Sequence, residues 1–313
     1  MLNIEHYRYS RRRKFKKGWL VLLVLVLVAG GAAAAWWLGV DELAARLLRP
    51  QARGRTLSEL WRDRVYDEII ARADASLKNE PLAPAALAYR GFSYFYKAVS
   101  EGNLEERIPY LDESIVSLRR LKLARYNPWP LETDYVLGKA YYHKGKYYYD
   151  LALYYLQRAL AGGFQAGDIY DYLGLAATQL ERTEEGLAYF QKALEGNPTD
   201  LLLLMIGQSY RDLGRLTEAE EYLLRALNKT EDPAIEAKCR FLLAQMYFDR
   251  KEYFKAESEY LGVLAKDPNS AEAHFYLGEI YAALNDRVKA RAEWRKTLLI
   301  DPSHYGATLR YYR

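Results

Sequence analysis

A pattern of small, aromatic and proline residues recurs about every thirty-four positions and constrains this chain more than any other feature. Its last copy consists of Leu277, Gly278, Tyr281, Ala290, Trp294 and Pro302. Earlier copies begin at Leu243, Ile206, Leu173 and Leu137, and the copy at Leu137 has two extra residues between its halves. The chain from Leu137 onward is therefore built from one unit used five times.

Each unit has the pattern of two amphipathic helices joined by a short turn. Each helix of a pair has a Gly or Ala where the two helices approach most closely. A larger side chain, four residues after the small residue of the second helix, fills the gap. Proline follows the second helix, where a helix must end. Because one hairpin cannot bury its own apolar face, we expect the hairpins to stack in series.

This pattern resembles the tetratricopeptide repeat (TPR). The resemblance covers residues 131–302 well and residues 57–122 loosely, because Pro109 stands where a small packing residue is expected. It implies an all-α fold, an α-solenoid of TPR-like helical hairpins with five clear units and one or two divergent ones. We assign 57–130 to divergent helical repeats, 131–302 to tetratricopeptide repeats and 303–313 to a C-terminal capping helix.

The N-terminal segment has the pattern of a membrane anchor. Residues 18–40 contain no charged side chain, and a helix of that length can cross a bilayer. Residues 1–17 hold seven basic residues and one acidic residue, which predicts a cytoplasmic tail and places everything after the span outside the cytoplasm. Residues 41–56 form a tether in this interpretation. A cleavable signal peptide is the alternative for the same segment.

Charge and composition argue against several function classes. The 296 residues after the tail carry 38 basic and 40 acidic side chains. This part of the chain therefore lacks the excess of positive charge that attracts nucleic acid. Cys239 is the only cysteine, and the four histidines do not share a unit. No phosphate loop or nucleophile motif is present. We therefore expect no enzymatic activity, no cofactor and no metal site.

In tetratricopeptide-repeat proteins, ligands usually lie in the concave groove lined by the first helix of each pair. The resemblance carries this role to fourteen residues here: Tyr135, Lys139, Tyr142, His143, Asp171, Leu175, Leu204, Gln208, Arg211, Phe241, Gln245, Phe248, Phe275 and Glu279. This face is rich in aromatic and amide side chains, a composition suited to protein contacts. The alternatives are a groove that only tolerates apolar residues, and one that holds the chain's own terminal helix.

Tyrosine is concentrated between residues 141 and 155. Tyr141 and Tyr155 take repeat positions that predict burial, where a phenol packs its ring and reaches the rim with its hydroxyl. Tyr142 remains for the groove. Tyr154, with Tyr189 and Tyr222, lies on the opposite face and offers a second candidate binding surface.

Together these features predict a single-pass protein of the bacterial inner membrane with a periplasmic repeat domain. We expect a scaffold that binds proteins during assembly of a cell-envelope complex, such as a secretion system, the division and wall-synthesis machinery or a flagellar-motor collar. The expected partners are envelope proteins and the lipid bilayer through residues 18–40. The alternative function is a ligand-handling accessory subunit of a transport system.

Overall fold

The computed structural model describes residues 55–312, which fold into fifteen α-helices and one short 3₁₀-helix with no β-strand in that range. The helices are α1 (Leu57–Arg62), α2 (Tyr66–Asn79), α3 (Pro84–Ser100), α4 (Leu104–Leu121), α5 (Pro130–Lys144), α6 (Tyr149–Ala161), α7 (Ile169–Gln179), α8 (Thr183–Gly196), α9 (Asp200–Asp212), α10 (Leu216–Lys229), α11 (Pro233–Asp249), α12 (Tyr253–Lys266), α13 (Ala271–Ala283), α14 (Arg287–Ile300) and α15 (Tyr305–Tyr311). The 3₁₀-helix, Lys146–Tyr148, precedes α6.

The chain divides into two compact units, the first ending at Thr133 and the second starting at Asp134. In the first unit α3 packs against both α2 and α4. Arg90 of α3 joins them, because its guanidinium donates to Asp74 at 2.7 Å and to Glu113 at 2.8 Å. Pro109 lies inside α4 without ending it. Residues 57–79 form two helices, the first of only six residues.

The second unit is an all-α solenoid of five helix pairs. We number them repeat 1 (α5 and α6), repeat 2 (α7 and α8), repeat 3 (α9 and α10), repeat 4 (α11 and α12) and repeat 5 (α13 and α14). From α6 to α15 each helix packs against the next one along the chain. The all-α, TPR-like solenoid predicted from the sequence is confirmed.

Local signals in the sequence explain where the helices begin and end. Thr199 and Ser270 cap α9 and α13, since each side chain accepts a hydrogen bond from a backbone N–H of the first turn. The second helices of repeats 2 and 4 end two residues before a proline. The tight turn of repeat 4 places Lys251 at φ 62°, a left-handed conformation that costs energy for any residue with a Cβ.

The two helices of a pair approach closely at the small residue of the first helix. A Cβ added to Gly138 would lie 2.5 Å from Cγ of Leu156, and one added to Gly207 would lie 2.9 Å from Cγ of Leu223. Leu156 and Leu223 are fully buried and stand four residues after the second small residue of their units. The packing rule read from the sequence therefore operates in the structure.

No helix within residues 55–312 is both long enough and apolar enough to span a membrane. The predicted tail, residues 1–17, and the predicted span, residues 18–40, lie outside the described residues, as does most of the predicted tether, residues 41–56.

Candidate partner-binding face

The first helices of the five repeats carry the predicted groove residues at fixed distances from the small residue. Within α5, for example, Tyr135 precedes Gly138 by three residues, and Lys139 and Tyr142 follow it by one and four. Such spacing keeps these residues on one helical face, although Tyr142 and Phe241 still contact Tyr149 and Tyr260 in the second helix of their own repeats. The structure shows what each of them meets there.

Repeat 1 uses its groove residues to bind repeat 2. The hydroxyl of Tyr135 donates to the carboxylate of Asp168, and the ammonium of Lys139 lies 2.7 Å from the same carboxylate. Lys139 also sits 4.5 Å from the ring centroid of Tyr172. Burial would raise the pKa of Asp168, but the charge of Lys139 and these hydrogen bonds hold it below its usual range. This ion pair is an internal contact between repeats.

Tyr142 and His143 complete the same contact. The ring of Tyr142 meets that of Tyr172 edge to face at 5.3 Å, and Nε2 of His143 lies 3.0 Å from the Tyr172 hydroxyl. Burial raises the pKa of Tyr142. Asp171 is half-buried, and burial followed by the charge of Asp168 raises its pKa. The predicted residues of repeat 1 thus contact Asp168 and Tyr172 of repeat 2, two residues that the sequence did not single out.

Repeats 3 to 5 leave an open cleft. Its volume is about 440 Å³, and its lining residues are Arg211, Leu216, Gln245, Met246, Asp249 and Tyr276. The guanidinium of Arg211 lies 3.5 Å from Oε1 of Gln245 and 2.9 Å from the carboxylate of Asp212. The cleft therefore combines a cation, an amide and a carboxylate with apolar side chains.

The remaining predicted residues of repeats 2 to 4 border the core. Leu204 is buried and Gln208 is half-buried, while Leu175 packs partly exposed against the core. Phe241 and Phe248 meet the ring of Tyr276 edge to face, at 6.4 Å and 5.5 Å. None of these five side chains lines the cleft.

The terminal helix covers the predicted residues of repeat 5. The carboxylate of Glu279 accepts two hydrogen bonds of 2.9 Å from the guanidinium of Arg310, which lies in α15. The ring of Phe275 lies 4.6 Å from that of His304, the residue that caps α15. In this repeat the groove holds the chain's own terminal helix, one of the alternatives that the sequence left open.

Sequence reasoning missed Tyr172 and Tyr276, which are central to both contacts. Each stands two residues before the small residue of its first helix, Gly174 and Gly278, and reaches back toward the preceding repeat. An aromatic ring stands at this repeat position in repeats 2 and 5 and an aliphatic side chain in the other three, so the repeat pattern gives little signal for it.

The titratable side chains within residues 55–312 form no cluster suited to a metal ion. No group of three His, Cys, Asp or Glu side chains in this range is placed to hold a metal ion. Cys239 is fully buried, and burial raises the pKa of its thiol to about 11. His274 lies 2.6 Å from Glu293 and is tied to its own repeat.

Comparisons with known proteins agree with this fold. Family models described as tetratricopeptide repeat match residues 173–234, 204–262 and 271–304. Tetratricopeptide repeats are therefore recognised in repeats 2 to 5. No curated protein matches the chain.

Solved structures share the architecture at low sequence identity. The C-terminal part of a TPR repeat-containing protein from Cytophaga hutchinsonii has a TM-score of 0.61 and 17% identity over 81% of this chain and 97% of its own. The apo form of the quorum sensor NprR from B. thuringiensis has a TM-score of 0.60 and 18% identity over 82% and 78%.

A chain of the APC/C hetero-tetramer Cut9–Hcn1 has a TM-score of 0.53 and 17% identity over 86% of this chain. This chain spans 50% of that relative's length. These likenesses concern the fold, which is a repeat scaffold of the kind typical of protein–protein interaction.

Proposed function

We propose that this chain is an interaction scaffold that binds a segment of a partner protein in the cleft of repeats 3 to 5. The observation that carries the proposal is the cleft itself, which is open, whereas in repeat 1 the groove residue Lys139 is engaged by Asp168 and Tyr172 of repeat 2. TPR scaffolds typically bind proteins, and this part of the face is open to a partner.

The lining of the cleft fits a peptide. Arg211 and Gln245 offer donors and an acceptor to the polar backbone of a bound segment, while Leu216 and Tyr276 offer apolar contact to a side chain. Asp249 is exposed at the edge and favours a basic residue there. A partner segment with one apolar anchor and one Lys or Arg nearby would match these groups.

Site-specific photocrosslinking tests this proposal in cells. A photoreactive phenylalanine at Gln245 of the full chain is expected to capture a protein of reproducible mass. The second substitution Asp249→Lys should reduce that product, because it reverses the charge offered to the bound segment. Ala188, exposed on the outer helix α8, provides the control position for the same probe.

Two results would argue against the proposal. Equal capture from Gln245 and Ala188 would show that the cleft has no selectivity, and a product that Asp249→Lys leaves unchanged would remove the cleft from the binding site. Phe241 and Phe248 are poor test positions, since both pack on Tyr276 and truncating them would disturb the fold.

The proposed cellular place of the scaffold is the periplasmic side of a bacterial inner membrane. Its support is the uncharged run of residues 18–40 together with the basic cluster before it. From this place the scaffold would serve assembly of an envelope complex, in secretion, division and wall synthesis, or a flagellar-motor collar. We propose no catalytic role.

Protease accessibility of a C-terminal tag tests this placement. We expect digestion only after the outer membrane is permeabilised, with the full mass of the chain retained. Protection of the tag in both conditions would place the repeats in the cytoplasm, and a shortened mature chain would indicate a cleaved signal peptide.

One observation favours a second function, the handling of a small ligand for a transport system. The cleft volume of about 440 Å³ lies in the range of small-molecule sites. Native mass spectrometry of the purified chain would show a co-purified ligand in that case, and its loss in a Gln245→Ala variant would assign it to the cleft.

A further inference from the structure

The outer surface of the solenoid changes character along the repeats. We define the outer stripe of a repeat by three positions in its second helix. They stand two residues before, five residues after and nine residues after the small residue of that helix. All three are exposed in repeats 2 to 5. In repeat 2 they are Glu184, Gln191 and Glu195, and in repeat 5 they are Val288, Arg295 and Leu299.

The outer stripe of repeat 4 is also apolar where that of repeat 2 is polar. Its outer stripe consists of Phe254, Leu261 and Ala265, and Phe254 stands at the position equivalent to Val288. The exposed fractions are 77% for Phe254, 82% for Val288 and 73% for Leu299. These large apolar side chains protrude from the surface and need a cover that repeat 2 does not need.

Basic side chains predominate on helix α14, which carries the outer stripe of repeat 5. Helix α14 holds five Lys or Arg residues and one acid, although residues 55–312 as a whole carry 34 basic and 38 acidic side chains. Every exposed residue of α14 is basic or aliphatic. The single acid, Glu293, is tied to His274 at 2.6 Å and to Lys296 at 2.7 Å. An anionic surface is the complement of this face.

Exposed tyrosine lies beside the same helix. The guanidinium of Arg291 in α14 sits 5.3 Å from the ring centroid of Tyr311, and Tyr311 meets Tyr312 edge to face at 5.1 Å. Tyr312 is 78% exposed. Phenol rings beside basic and aliphatic side chains are typical of surfaces at the headgroup level of a membrane.

We propose that the outer face of repeats 4 and 5, formed by the exposed residues of α12 and α14, lies against the headgroup layer of an anionic lipid bilayer. A protein partner would hold its anchor side chains in pockets, whereas Phe254, Val288 and Leu299 are protrusions. A fluid bilayer accepts protruding side chains while its phosphates pair with the surrounding Lys and Arg. The inference does not rest on the proposed function of the cleft.

A depth measurement on the full chain tests the proposal. A nitroxide is attached at Ala292→Cys, and the chain is reconstituted in vesicles of phosphatidylglycerol and phosphatidylcholine that contain a nickel-chelating lipid. Cys239 is fully buried, with a thiol pKa raised to about 11 by burial, so labelling at neutral pH is selective. We expect strong relaxation of the nitroxide by the headgroup nickel at low salt and little at 1 M salt.

Two matched controls accompany this measurement. Ala188→Cys places the nitroxide at the equivalent exposed position of repeat 2, where we expect little relaxation. The variant Arg287→Gln, Arg295→Gln, Lys296→Gln should weaken membrane docking on the order of 100-fold, at about tenfold or less for each basic residue near the surface. Removing three basic residues elsewhere, with Lys192→Gln, Arg225→Gln, Lys229→Gln, should leave docking unchanged.

Three results would overturn the proposal. Equal relaxation in vesicles of phosphatidylcholine alone would remove the charge argument, and equal relaxation at both label positions would remove the assignment to repeat 5. Short-range coupling between nitroxides of two chains, without nickel relaxation, would show that a second copy covers this face instead. None of these results affects crosslinking from the cleft, so the two proposals can fail separately.

Discussion

Replacing Tyr247 by Phe tests how the repeats are joined. The Tyr247 hydroxyl, in the first helix of repeat 4, donates to the carboxylate of Glu220 in the second helix of repeat 3 at 2.8 Å. Arg250 binds the other oxygen of Glu220 at 2.6 Å. A hydrogen bond to a charged group contributes ~1.5–3 kcal/mol, and we expect the low end because water still reaches Glu220. Tyr247→Phe should therefore lower the free energy of unfolding by about 1.5 kcal/mol.

The matched control is Tyr210→Phe. Tyr210 has the same repeat position one unit earlier, but its hydroxyl accepts from the neutral amide of Gln191 at 3.0 Å. A neutral hydrogen bond contributes ~0.5–1.5 kcal/mol, so the loss should be smaller than at Tyr247. Urea unfolding measures both losses, and amide hydrogen exchange localises the first to α10 and α11.

The pH dependence separates the hydrogen bond from ring packing. Burial opposes ionisation of Glu220, but the hydrogen bonds from Arg250 and Tyr247 hold the pKa of Glu220 below its usual range. The stability that ionised Glu220 contributes is therefore lost as the pH falls through this lowered pKa. Burial and the hydrogen bond to Glu220 raise the pKa of Tyr247. The stability that the Tyr247 hydroxyl contributes is therefore complete below about pH 10 and is lost as the pH rises through this raised pKa. The gap between wild type and Tyr247→Phe should narrow at both extremes. A gap equal to that of Tyr210→Phe and constant with pH would refute the reasoning.

Two further predictions concern the backbone. Gly138→Ala should destabilise repeat 1 by about 1–3 kcal/mol, because the new methyl would meet Leu156, while Gly196→Ala, with nothing within 4 Å, should be neutral or stabilising; thermal unfolding distinguishes the two. Lys251→Gly should stabilise the turn of repeat 4 by about 0.5–1 kcal/mol, since Lys251 has a positive φ. Asn285→Gly should stabilise less, because Asn tolerates this conformation. Equal urea midpoints for wild type and Lys251→Gly would show that the turn is unstrained.

The sequence predicts most of the solenoid because its rules are local. A small residue such as Gly207, a filling side chain such as Leu223 and a proline after the second helix each act within one hairpin, so the pattern in one unit is sufficient. The match of family models to residues 173–262 and 271–304 has the same basis. The divergent region up to residue 130 lacks the complete pattern but still packs Gly91 of α3 against Leu118 of α4.

The state of the candidate face could not be predicted, because it depends on contacts between repeats. Lys139 looked like a free groove residue, and only its partner Asp168, twenty-nine positions away, shows that it is committed to an internal ion pair. In the same way Glu279 is bound by Arg310 of the terminal helix, thirty-one positions away. A repeat pattern names the positions that can face a ligand, but not whether the next repeat already occupies them.

The two candidate surfaces lie in the same part of the solenoid, and this has a mechanical consequence. The cleft is built by repeats 3 to 5, and the basic, apolar outer face belongs to repeats 4 and 5, so a first helix and a second helix of one hairpin would contact different partners. In a repeat protein each unit is stabilised mainly by its neighbours, and the hydrogen bond from Tyr247 to Glu220 links repeat 4 to repeat 3, two of the repeats that line the cleft. Loosening this link should therefore weaken partner binding in the cleft more than membrane docking at α14. Crosslinking from Gln245 and nitroxide relaxation at Ala292→Cys, each measured in the Tyr247→Phe background, compare the two effects.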